Sequence, residues 1–126
     1  IPSGNSVAAM VLETLAQLTG EIEWRTAADR QMRFIAGQAE DYPAGHCFAM
    51  LAADKALHPG KELVVCSESI PPELSSRRGD DCNVLYKSSA NASLLAKCAP
   101  FTADYPVPEE GAKWYLCENG SCALSN

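Results

Sequence analysis

The order of three helical segments, apolar, then amphipathic, then apolar again, constrains the fold of this chain more than any other feature. The periodicity predicts a first helix over about residues 6–19, ended by Gly20 and apolar on most sides. A second helix over about residues 22–40 is polar along one side, and a third over about 44–57 is again nearly all apolar. Helices that are apolar on most sides need cover on most sides. Because alternating inner and outer helices are typical of α/α toroids and solenoids, we expect helices of that type.

The pattern changes after Gly60 from helical periodicity to short apolar runs of β type. Residues 62–66 and 82–86 are predicted strands, and each precedes a short helical segment, the first beginning near Ser69 and the second covering about 90–98. Strand, helix and strand in this spacing form a βαβ unit. We therefore expect the two strands to be parallel, with a right-handed crossover.

A β-hairpin is predicted at the C-terminal end, because Asn119-Gly120 separates the apolar runs 113–117 and 121–124. The predicted fold class is therefore α+β (mixed α/β). Residues 1–59 would form three helices of an α/α-toroid type. Residues 60–126 would form a small α/β tail, in which a βαβ sheet carries the C-terminal hairpin.

Composition and charge exclude several partners. The net charge of −6 and only ten Lys and Arg in 126 residues give no basic stripe, so neither nucleic acid nor an anionic membrane surface is expected as a partner. No run approaches the roughly 18 apolar residues of a membrane span. The chain begins without Met or a signal-like segment, and most of its six cysteines fall in apolar runs. We therefore expect a piece of a longer, cytoplasmic protein.

The polar residues before the first helix are the leading ligand-binding candidates: Ser3, Gly4, Asn5 and Ser6. A helix N-terminus presents free N–H groups, which with side-chain oxygens can hold a polar or anionic ligand. The simpler alternative is capping, with Ser3 or Asn5 as the N-cap residue. Both interpretations stay open at this point.

Cys117 and Cys122 are the redox candidates. If Asn119-Gly120 is a two-residue turn, Cys117 faces Cys122 in the non-hydrogen-bonded pair, where side chains on two strands approach most closely. A cross-strand disulfide is possible there, and such bridges are usually strained and reducible. In a cytoplasmic protein the favoured alternative is two reduced thiols on a hairpin face, or a bridge that forms only during preparation.

No catalytic residue, metal site or cofactor is expected. His46 and Cys47 are adjacent and therefore point apart on a helix, and His58 lies three turns further on, so metal-ligand spacing is absent. The sequence also lacks a GxSxG nucleophile motif and a GxGxxG dinucleotide motif. Three acidic residues have two interpretations: Glu13, Asp54 and Glu62. They are either toroid carboxylates of the kind that glycosidases use or ordinary surface charges, and the second interpretation is favoured.

Several motifs together resemble the YyaL-type thioredoxin-domain-containing proteins, the spermatogenesis-associated protein 20 family. The resemblance covers nearly the whole chain in order. It is carried by Ile1-Pro2-Ser3-Gly4-Asn5-Ser6-Val7-Ala8-Ala9, Leu18-Thr19-Gly20, Tyr42-Pro43, Glu62-Leu63-Val64-Val65 and Trp114-Tyr115-Leu116-Cys117-Glu118-Asn119-Gly120-Ser121-Cys122.

The resemblance implies a protein several times longer than this chain. Such proteins have an N-terminal thioredoxin-like domain, an α/α toroid similar to those of sugar epimerases and six-hairpin glycosidases, and a small α/β tail. This chain would supply the last toroid helices and the tail, a structural and accessory part without a complete active site. Its partners would be the missing thioredoxin-like domain and toroid helices, or a second copy in a homodimer. The alternatives are a wall of a sugar-enzyme pocket at residues 3–6 and a redox module using Cys117 and Cys122.

Overall fold

The structure, a computed structural model, describes residues 3–77, 82–118 and 121–125, and for residues 75–77 only the backbone. The chain divides into two compact units, Ile1–Pro59 and Gly60–Asn126. Helices dominate the first, and the second combines a sheet with short helices. The fold class is therefore mixed α+β, as predicted. In the described part of the chain, no helix is both long and apolar enough to cross a lipid bilayer.

The first unit contains three α-helices and one 3₁₀ helix in its described residues. Helix α1 spans Gly4–Thr19, α2 spans Ile22–Ala39 and α3 spans Cys47–Leu57. The expected helix start near Ala44 is a 3₁₀ helix instead, Pro43–His46, and short 3₁₀ turns of this kind are frequent at α-helix N-termini. Gly20 caps α1 with φ of 69°, a conformation that glycine adopts without a Cβ penalty.

Small side chains fill the interior of this helical unit. The buried cluster contains one large aliphatic side chain and three alanines: Ile35, Ala9, Ala49 and Ala52. Met10 and Met32 pack against it from the side. Alanine lets helix backbones approach closely but buries little apolar area per residue. The three helices therefore pack tightly around a small core.

Most large apolar side chains of the helical unit are exposed. The sequence pattern indicates burial of the first and third helices on most sides, yet α1 buries only Ser6, Ala9, Glu13 and Ala16. The large exposed side chains are Val7, Val11, Ile22, Trp24, Phe34, Tyr42, Met50, Leu51 and Leu57. Periodicity indicates which face of a helix is apolar. It does not indicate whether other residues of the same chain bury that face.

The described residues of the second unit form a sheet of four strands in the order β2-β1-β3-β4. Strand β1 is Lys61–Ser67, β2 is Cys82–Lys87, β3 is Ala112–Glu118 and β4 is Ser121–Ser125. The β1–β2 pair is parallel and both pairs made by β3 are antiparallel. These findings confirm the predicted parallel pair and C-terminal hairpin. The turn residues Asn119 and Gly120 lie outside the described residues.

The helical segments of the sheet unit differ from the prediction in type and position. A 3₁₀ helix, Pro72–Arg77, stands between β1 and β2 where a helix from Ser69 was expected. Helix α4, Ala92–Cys98, and a 3₁₀ helix, Pro100–Thr102, follow β2. One face of the sheet buries Val64, Cys66 and Cys117 as a cluster, with Phe101 and Tyr105 of the following segment packed against it. This cluster contains the sulfur of one redox candidate.

Candidate functional site

The hydroxyls at the start of α1 are engaged in capping. Ser3 is the N-cap residue, and its Oγ accepts a hydrogen bond from the Ser6 N–H at 3.1 Å. The Oγ atoms of Ser3 and Ser6 are also hydrogen-bonded to each other at 2.8 Å, with Ser6 only 4% exposed. Asn5 accepts from the Gln31 side chain through its backbone carbonyl, at 3.1 Å. A Cβ on Gly4 would meet nothing within 4 Å, so no close approach requires a glycine there.

A cavity of about 470 Å³ adjoins this helix start. The segment at the start of α3 forms its other side, so the lining residues are Ser3, Ser6, Gly45, His46, Cys47, Phe48 and Leu51. The structure thus brings two of the four predicted ligand-binding residues, Ser3 and Ser6, beside His46 and Cys47; Gly4 and Asn5 do not line the cavity. The sequence gives no signal for this neighbourhood, because the partners are some forty residues apart.

The chemistry of this cavity is that of neutral polar groups. Two hydroxyls, an imidazole, a thiol and an aromatic ring suit an uncharged polar molecule, and none of the lining residues carries a carboxylate. The Cys47 thiol already donates to the Ala44 carbonyl at 3.1 Å. Among the described residues, no group of three or more His, Cys, Asp or Glu is arranged to hold a metal ion.

The two redox candidates are joined by a disulfide bond. Cys117 lies opposite Cys122 in the β3–β4 register, and Glu118 lies opposite Ser121, which is the predicted pairing. The sequence favours reduced thiols for a cytoplasmic protein, and the structure differs from that expectation. The reason is local: the hairpin places the two Cβ atoms in a non-hydrogen-bonded pair, within reach of a bridge. Cys117 is 2% exposed and Cys122 is partly exposed.

Tyr105 lies against the buried sulfur of this bridge. Its hydroxyl is 3.8 Å from the Cys117 Sγ, and its ring stacks on Tyr115 with centroids 4.4 Å apart. The Cys66 thiol donates to the Tyr105 carbonyl at 3.9 Å. Burial raises the pKa of Tyr105 above its ordinary value, and the nearby Asp104 adds to that effect. The phenol therefore stays protonated at neutral pH and is a hydrogen-bond donor.

Cys66 is a buried free thiol in the same cluster. Burial raises the pKa of the Cys66 thiol, while the positive charges of Lys87 and Lys113 act in the opposite direction. Burial is the larger effect, so the neutral thiol is the favoured form at neutral pH. A neutral buried thiol is a poor nucleophile, and Cys66 therefore serves as a small core residue.

Lys87 holds the segment that covers this face of the sheet, a role that the sequence analysis did not predict. Its side chain is buried at 4% exposure, and Nζ donates to the carbonyls of Thr102 at 2.6 Å, Ala103 at 3.3 Å and Tyr105 at 2.7 Å. Three acceptors match the three N–H donors of an ammonium group. Lysine at the end of a strand usually indicates a surface position, so the sequence contains no signal for this contact.

Two of the three carboxylates interpreted as surface charges are buried. Glu13 lies between α1 and α2, where its Oε2 accepts from Arg25 at 2.8 Å, and Glu62 is buried on β1. Asp54 is exposed, with its Oδ1 2.9 Å from the His58 Nδ1. Glu13 is buried because α2 places an arginine opposite it, a pairing between helices that periodicity does not reveal. The ion pair gives Glu13 a structural role.

Among the described residues, two places are the candidate functional sites: the cavity beside Ser3 and Ser6 and the Cys117–Cys122 bridge. No protein-family model, curated protein or solved structure matches this chain. The interpretation of both sites therefore rests on their geometry. The cavity presents hydroxyl, imidazole and thiol groups, and the bridge is the kind of bond that thiolates attack.

Proposed function

We propose that this chain is the C-terminal part of a YyaL-type protein, in which it has a structural and accessory role. Helices α1–α3 would complete an α/α toroid and the four-stranded unit would be its α/β tail. The role requires no complete active site within the chain. The observation that carries this proposal is the distribution of apolar side chains in the helical unit, with alanines inside and large side chains outside.

That distribution is unusual for a helical unit that is complete by itself. Large aliphatic and aromatic side chains are normally the ones that a core buries, because they remove the most apolar area from water. Here Val11, Leu51 and Ile22 are 51%, 56% and 70% exposed. Exposed apolar surface of this extent is typical of a surface that another element covers. The proposed cover is the remaining toroid helices of the same cytoplasmic protein.

The size of the natural protein tests the family assignment. The mass of the chain is 13.5 kDa, and a YyaL-type protein is several times larger. An antibody raised against this chain should detect, in a lysate of the source organism, a protein several times heavier. A single band at the mass of the chain would contradict the proposal.

Self-association of the isolated chain tests the uncovered surface. Without its cover, the helical unit should bind an apolar dye and form dimers or larger species at micromolar concentration, measured by light scattering. Val11→Ser and Leu51→Ser should shift it toward monomer, because both side chains are exposed and contribute little to folding. Leu94→Ser, at another exposed apolar position, is the matched control and should leave the mass unchanged. A monomeric parent chain that binds no dye would refute the uncovered surface.

A sugar-enzyme pocket is a second candidate, supported by the cavity beside α1. Its hydroxyls and imidazole suit the hydroxyl groups of a sugar. Neutral monosaccharides titrated into the protein should then shift the amide resonances of Ser6 and His46. Shifts confined to other parts of the chain, or none at millimolar sugar, would argue against this candidate.

A redox module is a third candidate, supported by the Cys117–Cys122 bridge. The protein prepared without oxygen and denatured in the presence of an alkylating agent should then show four free thiols and one bridge. Six free thiols would mean that the bridge does not form in the cell, and this candidate would fail.

A further inference from the structure

The two sulfurs of the Cys117–Cys122 bridge have different surroundings. Cys117 is 2% exposed and belongs to the buried cluster with Val64 and Cys66, whereas Cys122 packs against that cluster from β4 and is partly exposed. Within the described sheet β4 pairs only with β3, so one of its edges has no neighbouring strand. Thiol–disulfide exchange requires a thiolate to reach one sulfur directly. Of the two cysteines Cys122 is the more exposed, which favours attack on its sulfur.

The buried sulfur has a hydrogen-bond donor beside it. A disulfide sulfur carries no proton, so in the 3.8 Å contact with the Cys117 Sγ the Tyr105 hydroxyl is the donor. The stack on Tyr115 holds the Tyr105 ring in place. The same residue is an unfavourable place for a negative charge, because Cys117 is buried. A donor at this position therefore matters most when Cys117 carries a charge.

We propose that the Cys117–Cys122 bridge is a directional exchange site for a dithiol reductant, in which Cys122 is attacked and Cys117 leaves as a thiolate hydrogen-bonded to Tyr105. The proposal rests on the redox candidate above and adds the direction of attack and the residue that receives the leaving group. The partner it implies is a protein or small molecule with two neighbouring thiols.

The exchange takes two steps. In the first, a thiolate of the dithiol forms a bond with the Cys122 Sγ, the bond between the two cysteine sulfurs breaks, and the electron pair leaves on Cys117. In the second, the other thiolate of the reductant attacks the reductant sulfur that is bonded to Cys122 in the mixed disulfide. The bond between that sulfur and the Cys122 Sγ breaks, and Cys122 leaves as a thiolate. Two electrons pass from the dithiol to the bridge, and the two released thiolates take up protons from water. The dithiol becomes a disulfide.

The position of the first adduct tests the direction of attack. The protein is treated briefly with glutathione, a monothiol that stops at the mixed disulfide, and is quenched with acid before the bridge is fully reduced. Tandem mass spectrometry then locates the glutathione. The expected adduct is on Cys122. An adduct on Cys117, or equal amounts on both cysteines, would overturn the direction.

The rate of reduction tests the role of Tyr105. Tyr105→Phe keeps the ring and its stack but removes the donor, and reduction by dithiothreitol should become about tenfold slower, since a hydrogen bond to a charged group is lost. Tyr115→Phe makes the same change on the neighbouring ring and should leave the rate unchanged. The thermal midpoints of both oxidised variants should match the parent protein. Equal rates for the two variants would overturn the role of Tyr105.

The pKa of Cys117, the leaving group, separates a chemical role of Tyr105 from a structural one. In Cys122→Ser, the pH dependence of Cys117 alkylation gives the pKa of that thiol. Adding Tyr105→Phe should raise this pKa, because the thiolate loses its donor. An unchanged pKa would contradict the proposal. If the native protein contains no bridge, the redox candidate itself fails; if the bridge exists but glutathione attaches to Cys117, only the present inference fails.

Discussion

Replacing Lys87 by methionine should destabilise the sheet unit more than any other lysine substitution within it. The Lys87 Nζ donates to the carbonyls of Thr102, Ala103 and Tyr105, which fixes the segment that covers the buried face of the sheet. Methionine has nearly the same volume and reaches the same space without donors. Lys87→Met therefore removes the hydrogen bonds and leaves the packing close to unchanged.

The magnitude follows from two opposing effects. Each hydrogen bond to a charged group contributes about 1.5–3 kcal/mol, and the two carbonyls contacted at 2.6 and 2.7 Å would lose their shortest hydrogen bonds. They would keep only the Tyr105 N–H, at 3.3 Å from the Thr102 oxygen, and the Cys66 thiol, at 3.9 Å from the Tyr105 oxygen. Methionine also removes the cost of burying an ammonium group, which is several kcal/mol. The loss outweighs this gain because three hydrogen bonds to a charged group are lost together. We expect the free energy of unfolding to fall by about 2–4 kcal/mol.

Urea denaturation of the oxidised protein, followed by circular dichroism, measures this difference. The matched control is Lys97→Met on α4, an exposed lysine whose replacement should change stability by less than about 0.5 kcal/mol. Hydrogen exchange at Thr102 and Tyr105 should accelerate in Lys87→Met before exchange elsewhere in the sheet. If both variants have the same stability, the three carbonyl contacts do not hold this segment.

Three further predictions concern other contacts. Ser3→Ala should lower the free energy of unfolding of the helical unit by about 1 kcal/mol in urea denaturation, because α1 loses its cap. Glu13→Gln should lower it by about 1–2 kcal/mol, whereas Asp29→Asn, at an exposed contact of 3.8 Å with Arg25, should change it by less than about 0.5 kcal/mol. The raised pKa of Cys66 means that the native protein keeps this proton to higher pH than the unfolded chain. Stability should therefore be constant below the ordinary thiol value of 9.0 and fall as pH rises past it, and Cys66→Ala should remove that part of the fall.

The elements of the fold that depend on neighbouring residues were predictable from the sequence. The boundaries of α1 follow from the serine cap and from Gly20, and they differ from the prediction by two residues at the start. The Cys117–Cys122 register follows from hairpin geometry once Asn119-Gly120 is taken as the turn. In each case the physical cause lies within a few residues of its effect.

The contacts that determine the chemistry of the site depend on distant partners. Lys87 and its three carbonyl acceptors are separated by 15 to 18 residues and a helix. Tyr105 reaches the sulfur of Cys117 only because this segment folds back over the sheet. A single sequence carries no periodicity or motif for such contacts. The sequence could therefore predict the pair of cysteines but not the different surroundings of their sulfurs.

The two candidate sites differ in what a ligand or reactant would have to displace. At the start of α1 the hydroxyls of Ser3 and Ser6 are bonded to each other and to the helix N-terminus, so a ligand that binds them competes with a cap worth about 1 kcal/mol. At the bridge Cys122 is partly exposed, and the Tyr105 hydroxyl is already beside the sulfur that would leave. A site whose donor is in place before the reaction loses no reorganisation energy when charge develops. For this reason the Cys117–Cys122 bridge has the stronger chemical case of the two, although the helix start is the more specific part of the resemblance to the proposed family.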